Sequence, residues 1–222
     1  MSPSRAASGA TAKKPDPATL ILLVRHGRTP TTGQVLPGRA RGLHLSDEGR
    51  RQAEAAAERL SALERVDAIY ASPLERAKET AAPIAKKLGL RVRTERGLLE
   101  CDFGAWTGGK LKVLARKPEW RTVQRWPSGF RFPGGESFAE MHTRIVDTLQ
   151  RLAAAHPGGR VVAVSHADPI KAAVADAAGS HLDQFQRIVI STCSVSALLY
   201  GPGGPTVLCV NSLGDLRELA PS

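Results

Sequence analysis

The stretch Leu20-Ile21-Leu22-Leu23-Val24-Arg25-His26-Gly27 holds five consecutive aliphatic residues that end in a basic pair and a glycine. An aliphatic run without polar alternation predicts a strand buried on both faces, the kind found inside parallel sheets. The same grammar returns at Val161-Val162-Ala163-Val164-Ser165-His166, again with a histidine at the end. Ligands of open α/β sheets sit outside the carboxyl ends of the strands, so two histidines there mark the expected site. An Arg beside the first, and a Gly after it that lets backbone approach a ligand, fit a phosphate-handling group.

Outward from these runs, helical and strand patterns alternate. Ser46, with Asp47 and Glu48 after it, offers an N-cap and an acidic first turn for a helix to about Ala62. Val66–Ala71 reads as the next strand, Ser72-Pro73 opens a helix to Leu88 that Gly89 ends, and Leu90–Thr94 is a third strand. The Gly, Pro and Trp content of 97–133 predicts loops and short helices rather than a layer of the core. Phe138, Met141, Ile145, Leu149 and Leu152 recur every three or four residues, so 136–155 should be an amphipathic helix. A helix over Pro169–Ala178 and a hairpin of Ser194–Tyr200 with Thr206–Asn211 complete the pattern. The expected fold is a three-layer α/β/α sandwich on a mixed, mostly parallel sheet. Residues 20–222 form one domain in this reading, behind an Ala-, Ser- and Pro-rich tail over 1–19.

Together the motifs become specific. Arg25-His26-Gly27 with Thr29, Ser72-Pro73-Leu74-Glu75-Arg76-Ala77 with Thr80-Ala81, Leu99-Glu100 before Phe103-Gly104-Ala105-Trp106-Thr107-Gly108, and Ser165-His166 stand in this order. Over about 20–216 the chain closely resembles the histidine phosphatase superfamily, which includes the cofactor-dependent phosphoglycerate mutases. The resemblance implies that His26 is a nucleophile forming a phosphohistidine, and that Arg25, Arg76 and His166 surround the phosphoryl oxygens. It further implies Glu100 as the acid that protonates the departing alkoxide and then the base that activates water. Thr29, Gly38 and Ala167 join the substrate-binding set, with Gly38 and Arg39 expected on a loop facing the pocket. Asp102 and Asp168 compete for the acid role, although Asp168 before Pro169 also reads as a helix N-cap. Arg28 and Ala167 depart from the Glu and Gly usual in the mutases and alter the pocket wall. The 65 residues between Glu100 and His166 are fewer than in the glycolytic mutases, which favours a phosphatase acting on a small phosphorylated metabolite over a phosphomutase.

Composition trims the alternatives. Of 222 residues, 42% are hydrophobic and 23% charged, ordinary for a globular chain. Cys101, Cys193 and Cys209 form no C-x-x-C pair and have no His at ligand spacing, so neither a disulfide framework nor a metal site is expected, and no cofactor is implied. No apolar run approaches the roughly 18–20 residues of a membrane span, and 1–19 lacks the apolar core of a secretory signal, so a cytoplasmic protein is expected. A net charge of +10 suggests a polyanionic partner. Yet aromatics are only 5% and no stacking platform or DNA-reading motif appears, so the expected partner is a small phosphate ester, with neither nucleic acid nor membrane; a homodimer stays open. The charge is local. Lys110–Arg131 carries seven basic residues against Glu119, which motivates the hypothesis that it holds a second anionic group of the substrate. Gly104–Lys110 followed by Leu111 falls one residue short of a Walker A loop, lacking the Ser or Thr that binds magnesium. His44, His142, His156 and His181 read as surface or loop positions, and Trp106, Trp120 and Trp126 as loop anchors, with Trp106 near enough to Glu100 to line the site.

Overall fold

The computed structural model describes residues 17–217; most of the segment read as a tail, 1–16, and the last five residues lie outside the described residues. The elements are β1 (Thr19–Arg25), β2 (Val35–Leu36), α1 (Asp47–Ser61), β3 (Ala68–Ala71), α2 (Glu75–Leu88), β4 (Val92–Thr94), β5 (Gly109–Lys110), α3 (Leu111–Leu114), α4 (Trp120–Arg125), α5 (Phe138–Ala155), β6 (Arg160–Ser165), α6 (Ala167–Ala177), β7 (Val195–Gly201) and β8 (Gly204–Ser212). Six strands form one sheet in the order β4-β3-β6-β1-β7-β8. The first four run parallel, and the β7-β8 hairpin joins β1 antiparallel. This is the expected mixed, mostly parallel α/β/α sheet.

Burial on both faces explains the aliphatic run. Leu20, Leu22 and Val24 pack with Leu60, Ala81 and Ile84 of α1 and α2, while Ile21 and Leu23 pack with Met141, Ile145 and Leu149 of α5 on the other face. Each such fully buried side chain contributes about 1.5–3 kcal/mol of transfer free energy. Local signals fix the helix ends. Ser46 Oγ accepts from Gly49 N at 3.1 Å, Ser137 and Glu140 form a capping box at the start of α5, and Gly89 closes α2 at φ +66°.

Several boundaries move, each for a physical reason. β1 starts at Thr19, whose hydroxyl donates to the carbonyls of Ala153 and His156. β3 and β4 are shorter than expected, beginning at Ala68 and Val92. Ser72 still follows the sheet, its N–H donating to Val164 O at 3.0 Å, so α2 begins only at Glu75 with Leu74 as N-cap. Asp168 is not an N-cap: α6 begins at Ala167 behind His166, whose carbonyl accepts from Ile170 N, and Pro169 sits in the first turn, where its missing N–H costs nothing. Nor is 97–133 peripheral. Phe103, Trp106, Phe130 and Phe132 are buried in the core beneath α5, with ring centroids 4.8–5.6 Å apart.

Candidate active site

Because β6 lies between β3 and β1, the carboxyl ends of three neighbouring strands bring Ser72, His166 and His26 together. His26 N donates to Ser165 O at 3.0 Å, which carries the sheet pairing one residue past β1. Its Nδ1 lies 2.8 Å from Gly27 O. A carbonyl only accepts, so Nδ1 bears the proton and Nε2 keeps its lone pair. Arg76 Nε donates to that Nε2 at 3.3 Å. Burial, then Arg76 and Arg25, hold the imidazole well below its usual pKa, so His26 is neutral and able to attack.

Arg76, the second residue of α2, is fully buried. It pairs with neither Glu75 nor Glu79; its Nη2 donates to Gly38 O at 2.7 Å. Arg25 Nη1 donates to Ile190 O at 2.6 Å. His166 places Nε2 2.8 Å from Ser72 Oγ and sets its ring edge-on to His26, centroids 5.1 Å apart. Five buried side-chain polar atoms lack a hydrogen-bond partner among the described residues, and three belong here: Arg25 Nε, Arg76 Nη1 and His166 Nδ1. Each such group costs about 1–3 kcal/mol unless a ligand satisfies it, and a multi-oxygen anion has the acceptors to do so.

Glu100 shares the cavity. Its Oε1 accepts from Cys101 N at 3.0 Å, and its carbonyl receives Arg39 Nε at 2.8 Å and Arg144 Nη2 at 3.4 Å. Burial first and the Asp168 carboxylate second push its pKa up to about 7, against the opposing pull of Arg76, the Cys101 N–H and Arg25. A carboxyl poised there gives and takes a proton at neutral pH. Asp102 is turned elsewhere, accepting from Gly104 N and pairing with Arg39. Asp168 does reach the cavity. Of about 200 Å³, this cavity is lined by Arg25, His26, Thr29, Glu100, Ala167 and Asp168 along with Leu36, Pro37, Phe103 and Leu111.

Thr29 and Ala167 thus reach the pocket, while Gly38 and Arg39 stand behind it. Gly38 holds Arg76 through its carbonyl, and at φ +51° an added Cβ would lie 2.9 Å from Thr107 Oγ1. Gly27 is small for a reason other than ligand approach: a Cβ there would meet Gly49 O of α1 at 2.6 Å. The clamp on Glu100 went unread in the sequence. Arg144 also donates to the carbonyls of Gly97 and Leu99 and pairs with Glu136, but its spacing on α5 does not distinguish it from other polar residues of that helix.

The remaining candidates lie away from the cavity. His44 pairs with Glu79, His142 with Asp176 and His156 with Tyr70 OH, while His181 is exposed. Trp106 is buried among Phe130 and Phe132, outside the cavity lining, whereas Trp126 is 60% exposed and anchors nothing in the core. Gly104 opens a 3-10 turn, not a strand-to-helix phosphate loop. Among the described residues no group of three or more His, Cys, Asp or Glu is placed to hold a metal ion, and no helix is long and apolar enough to cross a membrane. The basic residues of 110–131 are all exposed; Lys117 and Arg121 line an outer groove, and none lines the cavity.

Comparison with known proteins agrees with this geometry. The chain is 35% identical over 202 residues to a bifunctional protein of Mycobacterium tuberculosis, covering 89% of this chain but 55% of that one, so it spans little more than half of that relative. It is 34% identical over 205 residues to phosphoserine phosphatase 1 of Hydrogenobacter thermophilus, covering 89% and 94%. Among solved structures it is similar to mycobacterial glucosyl-3-phosphoglycerate phosphatase (TM-score 0.78, 27% identity, 88% and 99% covered). It is also similar to phosphoserine phosphatase from Entamoeba histolytica in complex with 3-phosphoglyceric acid (TM-score 0.79, 25% identity, 87% and 97% covered). With residues 21–213 matching the family, the chain belongs to the histidine phosphatase superfamily, branch 1.

Proposed function

We propose that this protein hydrolyses the phosphate monoester of a small metabolite through a phosphohistidine at His26, without a metal. The observation that carries the reading is a buried neutral His26, its Nε2 lone pair beside Arg76, in one cavity with a carboxyl whose pKa is about 7. Nε2 forms the N–P bond as the ester O–P bond breaks, and the departing oxygen takes the Glu100 proton. Water then gives a proton to the Glu100 carboxylate and attacks phosphorus, and the N–P electron pair returns to Nε2. Arg25 Nε and Arg76 Nη1 offer unpartnered donors to the oxygens on which charge spreads, and His166 Nδ1 joins them when it carries the ring proton. Similarity to proteins named as phosphatases supports hydrolysis, and so does the short segment between Glu100 and His166. The test is turnover of an aryl phosphate in the presence of a chelator. His26→Ala should abolish it; appreciable residual activity, or loss of wild-type activity on chelation, would overturn the proposal.

A further inference from the structure

An annex of about 130 Å³ adjoins the catalytic cavity and shares Leu36, Phe103 and Asp168 with its lining. At about 30 Å³ per liquid water, that is the room of roughly four waters, enough for a three-carbon alcohol. Trp120, stacked on Trp106 at 6.3 Å, joins Phe103 in giving the annex apolar walls, and Gln124, Gln186 and Asp168 supply its polar groups. No lysine or arginine lines it among the described residues. Lys171, bonded to two of the annex's polar groups, is already engaged, its Nζ 3.3 Å from Asp168 Oδ1 and 3.1 Å from Gln186 Oε1. Lys117 and Arg121 line the outer groove, which shares Trp120 and Gln124 with the annex, and neither cation belongs to the lining of the annex. A carboxylate in the annex would therefore face Asp168 with no lysine or arginine in the lining, whereas hydroxyls find an acid and two amides, with apolar walls for their carbons.

Resting on the phosphatase reading, we infer that the annex receives the alcohol half of the substrate and that the preferred class is the monoester of a small uncharged polyol, carboxylated esters being rejected by Asp168. It stands as the alternative to the expectation that the basic segment holds a second anionic group. The test compares kcat/KM for glycerol 3-phosphate and 3-phosphoglycerate, which differ in a hydroxymethyl against a carboxylate, with an aryl phosphate run in parallel. The wild-type protein should favour the glycerol ester by about tenfold or more, since like-charge juxtaposition is costly. Asp168→Asn, which removes the charge but keeps a polar group, should shrink that ratio at least about fivefold, a change that general loss of activity would not produce. Equal rates, preference for 3-phosphoglycerate, or preference for phosphoethanolamine over the glycerol ester would overturn the inference while His26-dependent aryl phosphatase activity stands. Absence of that aryl activity would instead overturn the reading beneath it. If the variant does not fold, the wild-type ratio decides.

Discussion

Glu100→Gln isolates the proton-transfer step. In the wild-type protein the Glu100 carboxyl, at about 7, is half protonated at neutral pH. It should be about nine-tenths protonated one unit below and about one-tenth one unit above. His26, held well below its usual value, stays neutral across that window, so the alkaline limb belongs to the Glu100 carboxyl under the influence of the Asp168 charge. The sign follows from its role: as the acid it must carry a proton, so turnover of an alkyl phosphate falls about tenfold per unit above pH 7. Glutamine keeps the shape and the ability to accept from Cys101 N but cannot donate a proton to an alkoxide. The loss for alkyl esters should be about 10²–10⁴-fold, or about 3–5 kcal/mol of transition-state stabilisation. A nitrophenolate leaves without a proton, so phosphorylation of His26 survives while the water step, which needs the base, slows. Stopped-flow assay of Glu100→Gln with p-nitrophenyl phosphate should then show a burst near one equivalent followed by slow turnover. Equal losses for alkyl and aryl esters, no burst and an unchanged alkaline limb would refute the assignment.

Three further outcomes follow from the geometry. Arg76→Lys keeps the charge beside His26 but loses the fork that reaches Nε2 and Gly38 O, so kcat/KM for an aryl phosphate should fall about 10²–10³-fold; a change below about threefold would count against the role. Arg144→Ala removes donors to the carbonyls of Gly97, Leu99 and Glu100; urea denaturation should show about 1–3 kcal/mol lost, and kcat for alkyl esters should drop more than kcat for aryl esters. Ser137→Ala breaks the capping box of α5 on the exposed surface; it should cost about 0.5–2 kcal/mol, lowering Tm by about 2–4 °C per kcal/mol with kcat within about twofold of wild type.

Of the candidate site residues, Arg25, His26 and His166 are legible because they lie at the ends of aliphatic strands whose burial is written in local composition, whereas Arg76 on α2 and Glu100 in a loop rest on the family resemblance. The sheet order explains why motifs far apart in the chain meet: His26 contacts Arg76 and His166, and it lines one cavity with Arg25 and Glu100. What escaped depends on packing between distant segments, which leaves no period to read. Gly27 yields space to α1, and Arg144 reaches across from α5 to the Glu100 loop. Asp168 looked like a cap because Asp before Pro favours one, yet α6 starts earlier and turns that carboxylate into the cavity. The aromatic residues of 103–132 lack helical or strand periodicity, yet their rings form a buried cluster. The basic residues between them are exposed and line no part of the cavity, a placement that charge counted along the chain does not reveal.

The most direct test of the central claim is to mix the protein rapidly with excess p-nitrophenyl phosphate, whose leaving group needs no proton, quench in base, where a phosphohistidine survives, and locate the phosphoryl group by peptide mass spectrometry. Glu100→Gln should accumulate the label on His26, and His26→Ala should carry none. Full turnover with no labelled histidine, or a label on any other residue, would contradict the account.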